Sequence, residues 1–196
     1  LAAEEFDRAL KRSDDDPDIH LGLAKAFYSA DPKRANDELE KALQLNPQHV
    51  ASKLFIIDHH IDAERYDEAE EVLEQILKLN PLQPKAWAYR AVLAHLEGDT
   101  QGEKQAREKA LSTWATNPEV DHLIGRKLSE KYRFAEGASY QRHALASNRL
   151  YLPAHLQLSQ DLLRIGEEEE GWRLANLVFD ADQYNVVAHN LVQLKA

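Results

Sequence analysis

Along this chain, apolar residues return at spacings of three and four within stretches of about a dozen residues, a pattern that predicts helices with one buried stripe. Short turns divide the stretches, at Ala30-Asp31-Pro32, at Asp99 and at Gly166, and no segment carries the alternation that predicts a strand. Prolines punctuate the chain at Pro17, Pro47, Pro81 and Pro118, three of them in "LNP" or "TNP", where a helical run should stop. Sliding the sequence against itself by 34 residues aligns small side chains: Ala35, Ala69, Glu103, Gly137 and Gly171 form one column, broken only by Glu103. A second column holds Ala42, Ile76, Ala110, Ala144 and Val178, and a third holds Leu23, Ile57, Ala91, Gly125 and Ser159. Small residues recurring at a fixed period mark places where two helices approach closely. Five blocks follow, 16–49, 50–83, 84–117, 118–151 and 152–185, each expected to be one helical hairpin. Residues 1–15 read as the second helix of a preceding hairpin and 186–196 as the start of a further first helix, so that 1–196 forms one repeat domain. Trp114-Ala115-Thr116, ahead of Asn117-Pro118, reads as a three-residue extension.

These residues carry a family resemblance. Trp87-Ala88-Tyr89-Arg90-Ala91-Val92-Leu93-Ala94, followed by Gly98-Asp99 and Ala110, resembles a tetratricopeptide repeat. The second-helix half of that pattern is well kept in "YDEAEEVLEQILKLNP", Tyr66 to Pro81, with Leu21-Gly22, "ALQLNP" and Ile124-Gly125 supplying matches elsewhere. The resemblance implies an all-α fold, a right-handed α-solenoid superhelix of helical hairpins. Physics leads the same way, because a lone hairpin cannot bury both apolar faces and must stack on the next. It also implies a non-catalytic scaffold that binds a protein or peptide along the concave face, lined mainly by the first helix of each pair.

The ends add a second expectation. The chain starts at Leu1 and contains no Met, which reads as a piece of a longer product. Its last segment, Asn185 to Leu194, keeps an apolar stripe that no following helix covers, so more protein beyond Ala196, or end-to-end self-association, is expected. "FDADQYNVVAHNLVQL", Phe179 to Leu194, resembles the final repeat of bacterial proteins in which such repeats precede a gluzincin-like peptidase-MA domain. That resemblance implies a regulatory or substrate-presenting arm of a larger peptidase-like protein, whose H-E-x-x-H helix would lie downstream, since none occurs in these residues.

Composition narrows the partners. With 43% hydrophobic and 30% charged residues the 196-residue chain can bury a core, and no apolar run is long enough for a membrane span. A formal charge of -10 argues against nucleic acid, whose phosphates the average surface would repel. The absence of cysteine excludes disulfides and thiolate chemistry, and leaves bacterial cytoplasm and periplasm equally open. There is no phosphate loop, nucleophile elbow or set of convergent polar groups, so no catalytic residue and no cofactor is expected.

Placing the blocks in phase assigns the groove candidates Asp58, Asp62, Tyr89, His95, His122, Arg126, Gln160 and Arg164. The groove is expected to be polarised: block 50–83 has eight acids against three bases, and block 118–151 has four acids against six bases. A ligand carboxylate would meet the basic end at His122 and Arg126. Some family members clamp a C-terminal carboxylate with Lys, Asn and Arg, but Leu54, Asp58, Ala88 and Val92 stand where that clamp would lie. Tyr89 is the expected aromatic contact, whereas Trp87 and Trp172 read as packing residues and Trp114 reads either as a plug of the inter-repeat junction or as exposed for a partner. "DHHIDAE", Asp58 to Glu64, has donors for a metal, but the helical phase sets His59 about 100° from His60 and leaves two donors per face. No metal site is expected there; His60 should pack between helices.

Overall fold

The computed structural model describes residues 2–11, 13 and 15–195; the terminal residues Leu1 and Ala196 lie outside them. Among the described residues the chain forms twelve α-helices and no strand. Contacts divide it into two compact units, residues 1–81 and 82–196.

The first unit holds α1 (Ala2–Leu10), α2 (Pro17–Phe27), α3 (Pro32–Leu45), α4 (Val50–Asp62) and α5 (Tyr66–Leu79). Here α2 packs on α3 and α4 on α5 as hairpins, with α1 against α2. Leu21, Leu23, Ala24, Ile57, Ile61, Leu73 and Ile76 make the buried core. Proline opens α2 and α3, where a missing N–H costs nothing, and Asp16 and Asp31 cap them by accepting from Asp18 N and Arg34 N.

The second unit holds α6 (Pro84–Glu97), α7 (Thr100–Ala110), α8 (Pro118–Glu130), α9 (Phe134–Ser147), α10 (Leu152–Arg164), α11 (Glu168–Ala181) and α12 (Val186–Lys195). Its hairpins are α6–α7, α8–α9 and α10–α11; α6 stacks on α8, α9 on α10, and α11 on α12. The period is strict at the helix starts. From Val50 on, first helices begin at Val50, Pro84, Pro118, Leu152 and Val186, and second helices begin at Pro32, Tyr66, Thr100, Phe134 and Glu168, each 34 residues after the last.

Turn chemistry repeats at the same step. Among the described residues, Glu64 (φ 59°), Gly98 (φ 80°), Tyr132 (φ 62°) and Gly166 (φ 85°) sit in the left-handed region, and these positions reverse the chain inside four successive hairpins. Asn46, Asn148 and Asp182 end helices in extended conformation, and each side-chain oxygen accepts from the amide two residues on.

One expectation fails here. Trp114-Ala115-Thr116 is not an inserted extension, because α8 starts 34 residues after α6 as the period requires. Instead α7 stops at Ala110, one turn earlier than the other second helices. Ser112 and Thr113 follow closely, residues whose hydroxyls compete with the helical ladder, and Ser112 Oγ donates to Lys109 O at 2.7 Å. Trp114 consequently does not plug a junction: it is 56% exposed, with its indole N–H donating to Thr116 Oγ1.

Candidate functional site

The eight candidates separate by unit. In the first, Asp58 is half-buried and Asp62 exposed, both on α4. His59, between them, is held by rings: it stacks on Tyr28 with centroids 3.5 Å apart and meets the edge of Phe55 at 4.2 Å. This turns the imidazole toward Asp62, with Nδ1 3.8 Å from Oδ2. Donor atoms of Asp58, His59 and Asp62 all fall within 4.8 Å of one another. Three donors therefore converge here, where the helical phase alone gives two per face. His60 is half-buried, and burial pushes its pKa below the usual imidazole value, with Arg65 adding to the shift. Beside these residues a cleft of about 360 Å³ is lined by Tyr28, Asn36, Leu39, Phe55, His60 and Arg65, among others.

In the second unit three candidates turn inward. Tyr89 on α6 is 5% exposed, which leaves almost no ring surface for a ligand. His95 points to α7, with Nδ1 3.0 Å from Glu103 Oε1. Glu103, the residue that broke the small-residue column, also accepts from the Tyr140 hydroxyl on α9, and so ties three helices. Burial, then that bond to Glu103, raises the Tyr140 pKa. His122 on α8 lies 2.8 Å from Gln141 Oε1 through Nδ1 and sits edge-on to Tyr151. Burial lowers the His122 pKa despite the Gln141 bond, so the ring is held neutral, with Nδ1–H donating.

The remaining three stay accessible. Arg126 on α8 pairs with Glu130 one turn on at 2.7 Å and keeps 32% of its side chain exposed. Gln160 on α10 is half-buried. Arg164, exposed at the end of α10, places its guanidinium 4.9 Å from the Phe134 ring centroid. Arg126 and Gln160 occupy one column of the repeat, and Glu130 and Arg164 the next. The Arg side chains are thus presented from the first helices of consecutive hairpins.

Other polar groups in the structure had no distinguishing sequence signal. Asp121, 1% exposed, receives both Nε and Nη2 of Arg107 at 2.5 and 2.7 Å. The Asp121 bonds are the main reason the Arg107 pKa rises. His20 and Glu38 are buried 2.7 Å apart. Burial alone would lift Glu38, but hydrogen bonds from Lys41 and His20 outweigh it and hold its carboxyl below the usual range. Lys127 is fully buried, with Nζ 2.7 Å from Glu130 Oε2. Arg107, Asp121, His20 and Glu38 are ordinary charges in the sequence because each pairs with a residue on another helix.

Residues 26–93 match the family model described as tetratricopeptide repeat. Among solved structures, a tetratricopeptide repeat protein from Parabacteroides merdae is similar at TM-score 0.67 and 14% identity, over 98% of this chain and 75% of that one. A thermophilic repeat protein of Thermus thermophilus is similar at TM-score 0.61 and 18% identity, over 82% of this chain and 89% of that one. YrrB, a repeat protein with an unusual peptide-binding site, is similar at TM-score 0.50 and 16% identity, over 98% of this chain and all of that one. At such identities the likeness is one of fold. Residues 26–93 are thus a tetratricopeptide-repeat segment, and the hairpins that continue at the same step share the fold of solved tetratricopeptide-repeat proteins.

Proposed function

We propose that this chain is a non-catalytic scaffold, and that its second unit receives an extended or helical peptide bearing a carboxylate on the faces of the first helices α8 and α10. The observation that carries the reading is the accessible pair Arg126 and Arg164 on consecutive first helices, with Gln160 beside them. An arginine fork suits a carboxylate, and an arginine already resting on a ring has lost part of its rotamer freedom before a ligand arrives. His95 and His122 take a supporting role: their rings face Glu103 and Gln141, so they brace the helices. In the first unit, Asp58 and Asp62 form an acidic surface suited to a basic segment of the partner. That the solved relative YrrB is described as having an unusual peptide-binding site is consistent with a peptide ligand for this fold.

A second reading rests on the segment Phe179 to Leu194, whose resemblance to repeats preceding a peptidase-MA domain makes the chain an arm that presents substrate to such a domain. Both readings need the same surface. An array of synthetic peptides with free or amidated C-termini, probed with wild type and with Arg126→Glu, tests the assignment. Binding that favours acidic or free-carboxylate peptides, and is lost on charge reversal, supports it; unchanged binding to every captured peptide removes it.

A further inference from the structure

The cleft of about 360 Å³ in the first unit lies between α3 and α4, closed at one end by Tyr28 after α2 and by Arg65 at the N-cap of α5. Leu39 of α3 and Ile56 of α4, both half-buried, give it an apolar lining, and Tyr28 and Phe55 add aromatic surface. These rings are held in place by one another. Tyr28 and Phe55 meet edge to face with centroids 5.7 Å apart, and Tyr28 also stacks on His59. Tyr28 still keeps 38% of its surface open. A space of this size and lining falls in the range of small-molecule sites, which add a few placed polar groups to apolar walls.

The polar groups here are few, and their charge has one sign. Among the described residues that line the cleft, Arg65 alone carries a full formal charge, because burial and the neighbouring Arg65 hold the His60 pKa below the usual imidazole value. Asp58 and Asp62 gather at His59 but are not among the lining residues. Arg65 is exposed, makes no side-chain cap bond to α5, and has no ion pair among the described residues. Arg107, Arg126 and Arg142, by contrast, each reach a carboxylate. Lys25 adds a second positive charge beside the rings, with Nζ 5.9 Å from the Phe55 centroid. His60 Nδ1 is buried with no hydrogen-bond partner among the described residues. Such an atom costs stability until something bonds it, and a neutral imidazole donates through Nδ1 in one of its two tautomers. In a chain of formal charge -10, an unpaired guanidinium at the end of a ring-lined cleft is a place where an organic anion gains more than it loses.

We propose that this cleft binds a small aromatic carboxylate, an aryl ring joined to its carboxylate by a short linker, with the ring packed against Tyr28 and Phe55 and the carboxylate received by Arg65 and His60. Edge-to-face packing and a guanidinium–carboxylate fork are both directional, so a ligand needs both ends to be held. The site lies in the first unit and is independent of the peptide surface on α8 and α10.

The test is an NMR titration of the whole chain with 3-phenylpropionate, with its uncharged amide 3-phenylpropionamide, and with propionate, which lacks the ring. The acid should bind with a Kd on the order of 1 mM and shift resonances of Tyr28, Phe55 and His60. Amide and propionate should each bind about tenfold more weakly or worse. Arg65→Gln removes an exposed side chain that caps nothing, so the fold is kept; it should weaken the acid by about tenfold and leave the amide unchanged. Equal binding of acid and amide, wild-type affinity in Arg65→Gln, shifts confined to other helices, or no saturable binding of the acid overturns the site. Acetyl-Gly-Gly-Phe separates the two sources of this chemistry: if it binds where the free acid does not, the cleft receives a chain terminus and the small-molecule assignment is wrong.

Discussion

Gly125 and Gly137 bring the backbones of α8 and α9 into direct contact: a Cβ on Gly125 would stand 2.8 Å from the carbonyl oxygen of Gly137, and one on Gly137 would stand 2.9 Å from that of Gly125. Alanine ordinarily improves a helix interior by about 1 kcal/mol over glycine. Here the obstacle is backbone on both sides and cannot swing away, so the clash wins. Gly125→Ala and Gly137→Ala should each destabilise the second unit by roughly 1–3 kcal/mol in chemical denaturation. Gly171→Ala should cost less, since the nearest atoms there belong to the Leu163 side chain.

The left-handed turn positions predict the opposite sign. Glu64 and Tyr132 occupy, with a Cβ, the conformation that Gly98 and Gly166 occupy without one. Glu64→Gly and Tyr132→Gly should therefore raise stability by about 1 kcal/mol, net of the entropy glycine adds to the unfolded chain. Gly98→Ala and Gly166→Ala should lower it by a similar amount, although nothing lies within 4 Å of either added Cβ. Melting temperatures of the four variants check the pattern.

Arg107 and Asp121 provide a test of coupling. Asp121 is buried, and removing its partner leaves a carboxylate with its main cationic neighbour gone. Arg107→Ala should cost roughly 2–4 kcal/mol, and adding Asp121→Asn should recover a large part of that loss. Additive losses across the double-mutant cycle would contradict the pairing.

For Asp161 the sign follows from linkage. Its folded pKa of about 6 lies above the ordinary 3.8, so the folded state binds more protons than the unfolded one between those values. Stability from this group is fully present below about pH 4 and is lost as pH rises to about 6, by an amount on the order of 2–3 kcal/mol. Asp161→Asn should accordingly be more stable than wild type at pH 7.5 and should flatten that part of the denaturation profile. A wild-type minus variant difference that does not change with pH would show that Asp161 does not titrate in this window.

Much of the fold was legible because the repeat writes itself into the side chains that set backbone geometry. Columns such as Ala35, Ala69, Gly137 and Gly171 report helix approach, and the prolines and asparagines report helix ends. The early end of α7 reads as an insertion in the sequence because Trp114 and Asn117 displace the Asn-Pro mark without changing the period. Site residues were harder to place. The repeat phase says which helix carries a residue, but the outward or inward choice of His95, His122 and Tyr89 depends on partners such as Glu103 and Gln141 in other helices. Asp161 carries no mark in the sequence for the same reason, since its burial is made by Ser129 and Gly137 in the preceding hairpin.

The most direct test of the account is a charge-swap titration on the second unit's first-helix surface. A peptide selected for binding is titrated calorimetrically into wild type, Arg126→Glu and Arg164→Glu, and then re-made with its acidic residue changed to lysine. The account predicts that each reversal weakens the acidic peptide by about tenfold or more and that the lysine peptide recovers affinity on the reversed surface. Equal affinities across all combinations would contradict it and place the partner elsewhere on the repeats.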